Sequence, residues 1–172
     1  MANKEKITIK LNNLKFDAQN PRLPMRLQGV TDEKKVIDYM VKYGNVTELM
    51  LSIGETGYSE AEPLLVVKEG TDKYIVVEGN RRLAALKLLN DSELTKVRIQ
   101  LINSVVFGAK YIPEEVPCIV YASREDVLDY LGYRHITGVK DWGALEKARY
   151  LDQLYQIHIK SIPQEKIYQK LA

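Results

Sequence analysis

The feature that most constrains this 172-residue chain is a polar turn between two apolar segments. The first segment, Tyr74–Val77, is typical of a buried strand, and the second, Leu83–Leu89, is typical of a helix. The residues between them are Glu78-Gly79-Asn80-Arg81-Arg82. Gly79 allows the chain to turn sharply out of the strand, and Asn80 is a favourable residue to cap a helix. The sequence therefore predicts a strand, a tight turn and a helix in direct succession.

The two arginines that follow Asn80 suggest that an anion binds at this turn. Both fall on the first turn of the predicted helix, where free backbone N–H groups and the helix dipole already attract negative charge. Two cations at that end are unfavourable unless an anion, most simply a phosphate, lies between them. The alternative is that Arg81 and Arg82 are solvated or pair with carboxylates such as Glu78. A motif this short does not decide between the two interpretations.

Arg22 is a second candidate for binding phosphate. It follows Asn20-Pro21 in a segment that contains another proline, Pro24, so we predict an extended and ordered loop rather than a helix. A rigid loop that carries one arginine can hold a phosphate. It can equally serve only to complete the end of a strand.

The third candidate is the segment Tyr133-Arg134-His135-Ile136-Thr137-Gly138, which is followed by Lys140. We predict a polar, aromatic loop here, after a helix that ends at Gly132. Its aromatic ring can stack on a base, and Arg134 and His135 can contact phosphates. The alternative for His135 is a structural histidine with its hydrogen bonds satisfied inside the fold.

Strand and helix patterns surround these candidates. Strands are predicted at Ile7–Leu11, Pro63–Val67 and Val116–Tyr121, and the second forms a hairpin with Tyr74–Val77. Residues 91–115 are the least readable, and Val105–Tyr111 is compatible with a strand or an exposed excursion. A long helix is predicted over about residues 142–158, and its expected core positions are Leu145, Ala148, Leu151, Leu154 and His158.

Capping signals mark three further helix starts. Thr31 is expected to cap a helix that begins with Asp32-Glu33. Asn45 is expected to start the next helix, with Glu48 as its capping-box partner. Ser123 is expected to cap the helix that ends at Gly132. The first of these helices should bury the apolar residues Val36, Ile37, Met40 and Val41.

Composition excludes several classes of protein. The formal net charge is only +2, so the chain is not a general polycation, although residues 79–110 hold six basic and two acidic residues. One cysteine, Cys118, excludes an internal disulfide, and we expect it to be a buried thiol. The sequence contains neither a zinc-ligand cluster nor a Walker motif. No apolar run is long enough to cross a membrane, so we expect a cytoplasmic protein without a membrane partner.

The order of these features resembles the N-terminal domain of the ParB family, within the ParB/sulfiredoxin superfamily. The best match is Tyr74–Ala85, where ParB proteins carry a Gly-Glu-Arg-Arg box at the turn. Val116–Val120 resembles the strand after that box, and Ala144–Arg149 resembles the helix after the family's third box. The resemblance covers roughly residues 7–150. It implies an α+β fold with a small mixed sheet flanked by helices and followed by C-terminal helices.

The resemblance also implies a domain organisation. Residues 1–140 would form the ParB/sulfiredoxin-like domain, and residues 141–160 a connecting helix. Residues 161–172 resemble the start of a helix-turn-helix domain, because Ser161 and Gln164 form a capping box. No helix stop signal follows Leu171-Ala172, so we expect that the natural protein continues or that this chain was trimmed.

ParB domains bind CTP with magnesium, close as DNA clamps and hydrolyse the nucleotide, so the resemblance implies these ligands here. Gly79, Arg81 and Arg82 match the phosphate box, whereas Asn80 stands where ParB has Glu. The family's third box, Glu-Asn-x-Gln-Arg, supplies metal ligands, but residues 133–137 of this chain contain no carboxylate. Sulfiredoxins carry a nucleophilic Cys at the position of Asn80, so peroxiredoxin repair is not expected.

We therefore predict a ParB-like nucleotide-binding domain of a DNA-associated protein. Its phosphate-binding residues would be Gly79, Asn80, Arg81, Arg82, Arg22, Arg134 and His135, and a homodimer is an expected assembly. One alternative is a nuclease or small-molecule phosphotransferase on the same fold, with Glu78 as the catalytic carboxylate. Another is a protein-interaction module that lacks nucleotide chemistry.

Overall fold

A computed structural model describes residues 5–136 and 143–158. These residues fall into two compact units that divide between Ala122 and Ser123. The strands of the first unit are β1 (Glu5–Lys10), β2 (Leu14–Phe16), β3 (Leu64–Glu69), β4 (Lys73–Glu78) and β5 (Glu115–Tyr121). Its α-helices are α1 (Glu33–Tyr43), α2 (Val46–Thr56), α3 (Asn80–Asn90) and α4 (Ile99–Gly108). The second unit contains α5 (Arg124–Ile136) and α6 (Ala144–His158).

The five strands form one mixed sheet in the order β1-β5-β3-β4-β2. The pairs β1/β5 and β3/β4 are antiparallel, whereas β5/β3 and β4/β2 are parallel. The predicted hairpin is confirmed as β3 and β4, and β5 confirms the strand predicted at Val116–Tyr121. The short strand β2 was not predicted, because three residues carry too little alternation to be recognised. The α+β fold with a small mixed sheet and C-terminal helices is as predicted.

The core of the first unit lies between this sheet and its helices. The predicted apolar face of α1 is buried, and α3 contributes six fully buried apolar residues. Those α3 residues are Leu83, Ala84, Ala85, Leu86, Leu88 and Leu89. The helix that follows the polar turn is therefore held in place by packing along its whole length.

None of the described helices has the length and apolar character required to cross a membrane.

Two predicted helix caps differ from the structure, one in its residue and the other in its side-chain hydrogen bonds. Asp32, not Thr31, is the N-cap of α1, because its carboxylate accepts hydrogen bonds from the N–H groups of Lys34 and Lys35. Asn45 is the N-cap of α2 as predicted, but it has a left-handed backbone conformation with φ of 51° and its side chain makes no cap hydrogen bond. The predicted capping box therefore does not form. At the start of α1, the carboxylate of Asp32 is adjacent to the first turn and caps it in place of the hydroxyl of Thr31, one residue earlier.

Residues 99–108 form the helix α4, so a strand, one of the two interpretations given for Val105–Tyr111, is wrong. Ile102 and Val105 are buried three residues apart on one face, whereas Phe107 is 94% exposed. The chain leaves α4 by pairing the N–H groups of Lys110 and Tyr111 with the carbonyl of Gly54 in α2. Packing against α2, rather than local β propensity, determined this segment.

The second unit also corrects a boundary. Ser123 caps α5 as predicted, because its hydroxyl accepts a hydrogen bond from Asp126 N–H at 3.1 Å. The helix does not end at Gly132 but continues to Ile136, so Tyr133–Ile136 are helical rather than a loop. A Cβ on Gly132 would collide with the hydroxyl of Tyr150 on α6. The glycine therefore permits close approach of two helices and is not a stop signal.

The predicted core positions of α6 are only partly correct. Leu154 is buried, but Leu145 is 58% exposed and Ala148 is exposed as well. Tyr150 is fully buried instead, and its hydroxyl donates a hydrogen bond to the carbonyl of Leu128. The predictions for residues 137–142 and 159–172 lie outside the described residues.

Candidate functional site

The polar turn after β4 depends on Gly79. This residue has φ of +101° and is the N-cap of α3, which begins at Asn80. A Cβ at position 79 would collide with the side chain of Leu64 and would lie 3.2 Å from Nη2 of Arg82. Both the left-handed backbone and the lack of space require glycine here. The strand–turn–helix unit predicted from the sequence is confirmed.

Asn80 is a buried structural residue and does not cap the helix as predicted. Its Nδ2 donates to the carbonyls of Val76 at 2.7 Å and Val77 at 3.3 Å. Its Oδ1 accepts a hydrogen bond from the N–H of Asp17 at 3.1 Å. The side-chain amide is thus used within the protein, which leaves the backbone N–H of Asn80 for any anion at the helix start. Its role in phosphate binding stays a prediction.

The loop that carries Arg22 is ordered by Asn20. The Oδ1 of Asn20 accepts from Arg22 N–H at 2.9 Å, and its carbonyl accepts from Leu23 N–H at 2.9 Å. Nε2 of Gln28 donates to the carbonyls of Asn20 at 2.8 Å and Leu23 at 2.9 Å. The same loop is joined to the turn through the Asp17–Asn80 hydrogen bond. The structure therefore brings the Asn-Pro-Arg loop to the first turn of α3.

Arg81 is the residue on which these elements converge. Its Nε is buried and has no hydrogen-bond partner among the described residues. Burial lowers the pKa of Arg81, and the positive charge of Arg22 lowers it further. The charges of Glu48 and Glu78 act in the opposite direction on this pKa. An arginine with a buried unsatisfied donor beside a second cation is costly, so such a group is a candidate for ligand binding.

Arg82 faces a different part of the molecule. Its Nη1 donates to the carbonyl of Glu62 and lies 3.4 Å from the hydroxyl of Tyr58 and 3.5 Å from Oε2 of Glu62. The sequence left open that these arginines pair with carboxylates instead of an anion. Arg82 does so, although its partner is Glu62 rather than Glu78. Burial raises the pKa of Tyr58 to about 12, and the nearby charge of Arg82 opposes that effect.

The remaining candidates, Glu78, Arg134 and His135, do not all lie in the same unit. Glu78 is half-buried at the end of β4, and its charge acts on the pKa of Arg81. Arg134 and His135 belong to α5 in the second unit, and their side chains are outside the described part of the chain. Within the described residues, no group of three or more His, Cys, Asp or Glu could hold a metal ion. The roles of these three residues stay predictions.

Sequence reasoning missed four residues around the turn: Asp17, Glu48, Tyr58 and Glu62. Asp17 and Glu62 contact the turn across 63 and 20 positions of sequence. No local pattern marks such contacts. The proximity of Asp17 to the Asn-Pro-Arg segment was the one available signal.

An open groove of about 790 Å³ lies at the other end of α3. It is lined by residues of both charges and by none of the turn residues 78–82. On its wall, Nζ of Lys87 pairs with Glu33 at 2.6 Å and lies 5.9 Å from the ring centre of Phe16. The cation of Lys87 is therefore already neutralised, and the groove is separate from the candidate anion site.

Comparison with known proteins agrees with the sequence pattern at this site. The sequence model of the ParB N-terminal domain matches residues 39–106, a range that contains α2, the hairpin, the turn and α3. The predicted resemblance to that domain is thereby confirmed. Among solved structures, the C-terminally truncated chromosome-partitioning protein ParB from Caulobacter crescentus, complexed with CTP-gamma-S, is similar at 20% identity, with a TM-score of 0.43 over 97% of this chain and 71% of that chain. No curated protein matches the chain.

Proposed function

We propose that this ParB N-terminal domain-like chain binds a nucleotide of the CTP type, with the phosphates at the turn Gly79–Arg82. Arg81 carries the proposal, because its buried Nε has no described partner and its pKa is lowered partly by Arg22. A bound phosphate accepts the unsatisfied hydrogen bond and neutralises the two neighbouring cations. The same two features that are costly without a ligand then become favourable.

The backbone around Arg81 supports the same ligand. The N–H groups at the start of α3 have no carbonyl partner within the helix, because the first helical bond is from Leu83 N–H to the carbonyl of Gly79. With no side chain at Gly79, a phosphate can approach these amides closely. Arg22 reaches the site from an independently ordered loop. The matched ParB domain makes CTP the first nucleotide to test.

Magnesium, DNA and a second copy of the chain enter the proposal through the resemblance alone. The carboxylates whose charges raise the pKa of Arg81 are Glu48 and Glu78, and they belong to no metal-binding group of three among the described residues. We therefore assign no step to magnesium and propose only that it accompanies the nucleotide. DNA association is proposed for a helix-turn-helix domain, whose start the sequence of residues 161–172 resembles, and homodimerisation for the nucleotide-bound protein.

Isothermal titration with CTP, ATP, GTP and UTP, each with and without Mg²⁺, tests the proposal. We expect CTP to bind and Arg81→Ala or Arg22→Ala to weaken binding roughly 10- to 100-fold, which corresponds to loss of one charged hydrogen bond. Arg26→Ala is the matched control, because Arg26 is exposed in the same loop region. If no nucleotide binds the unmodified chain, the proposal is wrong.

A second candidate function is cleavage of a phosphate ester with Glu78 as general base. The observation that favours it is the position of this carboxylate, because its charge raises the pKa of Arg81 at the site. Nuclease and phosphate-release assays should then show activity that Glu78→Gln abolishes. Glu48→Gln is the control, because the charge of Glu48 also raises the pKa of Arg81 but Glu48 lies on α2. Activity that survives in Glu78→Gln excludes this role.

A further inference from the structure

The two adjacent arginines of the turn have different surroundings. Arg81 has a buried Nε without a described partner and is influenced by Arg22. Arg82 is only 16% exposed and is already bonded to Glu62 and Tyr58. Consecutive helical residues point about 100° apart, so one ligand does not readily engage both side chains. The different contacts of Arg81 and Arg82 therefore indicate different roles for the two arginines.

The partners of Arg82 lie on the segment that connects α2 to β3, residues 57–63. This segment has no helix or strand, and it begins at Gly57 with φ of +81°. Within it, the hydroxyl of Tyr58 donates to the carbonyl of Glu62 at 2.7 Å, and Glu62 N–H donates to the carbonyl of Ser59 at 3.2 Å. Arg82 bonds to both ends of this internal bridge.

Arg82 reaches the connecting segment by crossing the turn itself. Its Nη2 lies 3.2 Å and its Cζ 3.6 Å from the position that a Cβ on Gly79 would occupy. The guanidinium therefore packs against the N-cap residue of α3 while its Nη1 holds Glu62. The positive charge of Arg82 is opposed by the Glu62 carboxylate at 3.5 Å. Because the Glu62 carboxylate offsets the charge of Arg82, this side chain attracts an anion less strongly than an unpaired arginine does.

We infer that Arg82 is a positioning residue, which fastens the segment 57–63 to the turn at Gly79, and that Arg81 with Arg22 contacts the anion. This inference rests on the proposed function, because that proposal is what identifies the turn as an anion-binding site. Arg82 acts on the ligand through the turn that its side chain packs against. Loss of Arg82 therefore loosens the segment before any ligand is present, whereas loss of Arg81 does not.

Hydrogen exchange of the ligand-free chain tests the first half of the inference. In Arg82→Ala, we expect the amides of residues 57–62 to exchange at least about tenfold faster, because local opening no longer has to break the Arg82 contacts. Arg81→Ala is the matched control and should leave this exchange unchanged. Arg82→Lys should restore part of the protection, and it replaces Arg82→Ala if the alanine variant does not fold. Unchanged exchange in the Arg82 variants overturns the inference.

A double-variant cycle on CTP affinity tests the second half. If Arg82 acts through Glu62, the loss in Arg82→Ala/Glu62→Gln should stay within about twofold of the loss in Arg82→Ala alone. Losses that add fully would mean that Arg82 contacts the ligand itself, and the inference would be wrong. If the unmodified chain binds no nucleotide, the proposed function fails. The exchange experiment then still decides whether Arg82 holds the segment.

Discussion

The side-chain oxygen of Asn80 accepts a hydrogen bond from the backbone N–H of Asp17, 63 residues earlier in the chain. This contact joins the loop that carries Arg22 to the first residue of α3. The amide nitrogen of Asn80 meanwhile holds the end of β4 through the carbonyls of Val76 and Val77. One buried amide therefore connects a strand, a helix and a loop at the place where Arg22 and Arg81 approach each other.

Asn80→Ala should lower the free energy of unfolding by about 1–3 kcal/mol, because it leaves three buried backbone groups without their partner. Urea denaturation at neutral pH measures the change. Asn103→Ala is the control, since Asn103 is exposed on α4 and its replacement should change stability by less than about 0.5 kcal/mol. Equal effects of the two substitutions would contradict the structural role of Asn80.

Gly79→Ala should destabilise the protein more than Gly70→Ala. Both glycines have positive φ, but a Cβ at position 70 meets no atom within 4 Å, whereas one at position 79 collides with Leu64. Gly70→Ala therefore carries only the left-handed backbone cost of about 1–2 kcal/mol. Gly79→Ala adds overpacking of about 1–3 kcal/mol. Thermal denaturation of both variants measures the difference, and similar melting temperatures would refute the close contact.

Arg81→Met should leave the free energy of unfolding unchanged or raise it by up to about 1 kcal/mol, while nucleotide affinity falls. The substitution keeps an apolar stem, removes a buried unsatisfied Nε and ends repulsion by Arg22. Chemical denaturation without ligand and calorimetry with CTP measure the two properties separately. A clear loss of stability would show that Arg81 has a structural role in the ligand-free fold.

Replacement of Cys118 by Ala should cost less stability as the pH rises above about 8.5. Burial raises the pKa of the Cys118 thiol to about 12, while an unfolded thiol ionises near 8.5. Above 8.5 the unfolded chain releases this proton and the folded chain keeps it, so the folded state of the unmodified protein loses stability up to about pH 12. Urea midpoints of both proteins at pH 7, 9 and 10 should converge. A constant difference would contradict the raised pKa.

Gly132→Ala should destabilise the second unit, although alanine usually favours a helix by about 1 kcal/mol. The new methyl group would collide with the hydroxyl of Tyr150, which is hydrogen-bonded to Leu128. Gly108→Ala on α4 is the control, because its Cβ meets nothing within 4 Å. In a Tyr150→Phe background, Gly132→Ala should cost less. Circular dichroism melts measure all four variants, and an undiminished cost in that background would locate the clash elsewhere.

The sequence by itself determined the elements whose cause is local. The apolar stripe of α1 and the hairpin β3–β4 follow from periodicity and turn residues alone. Gly79 determined the sharp entry to α3, because only glycine suits the left-handed backbone there. The order of these elements sufficed to recognise the ParB-like domain, which the match over residues 39–106 confirms.

Only the tertiary structure decided what each polar side chain of the turn contacts. Asn80 was predicted to cap the helix, but its buried side chain instead accepts a hydrogen bond from the N–H of Asp17 and donates to the end of β4. Arg81 and Arg82 are equivalent in sequence, yet the segment that holds Glu62 pairs with one and not with the other. Residues 99–108 are helical because one side of this segment packs against α2. A local pattern specifies backbone geometry, whereas a buried polar group takes its partner from residues far away in the chain.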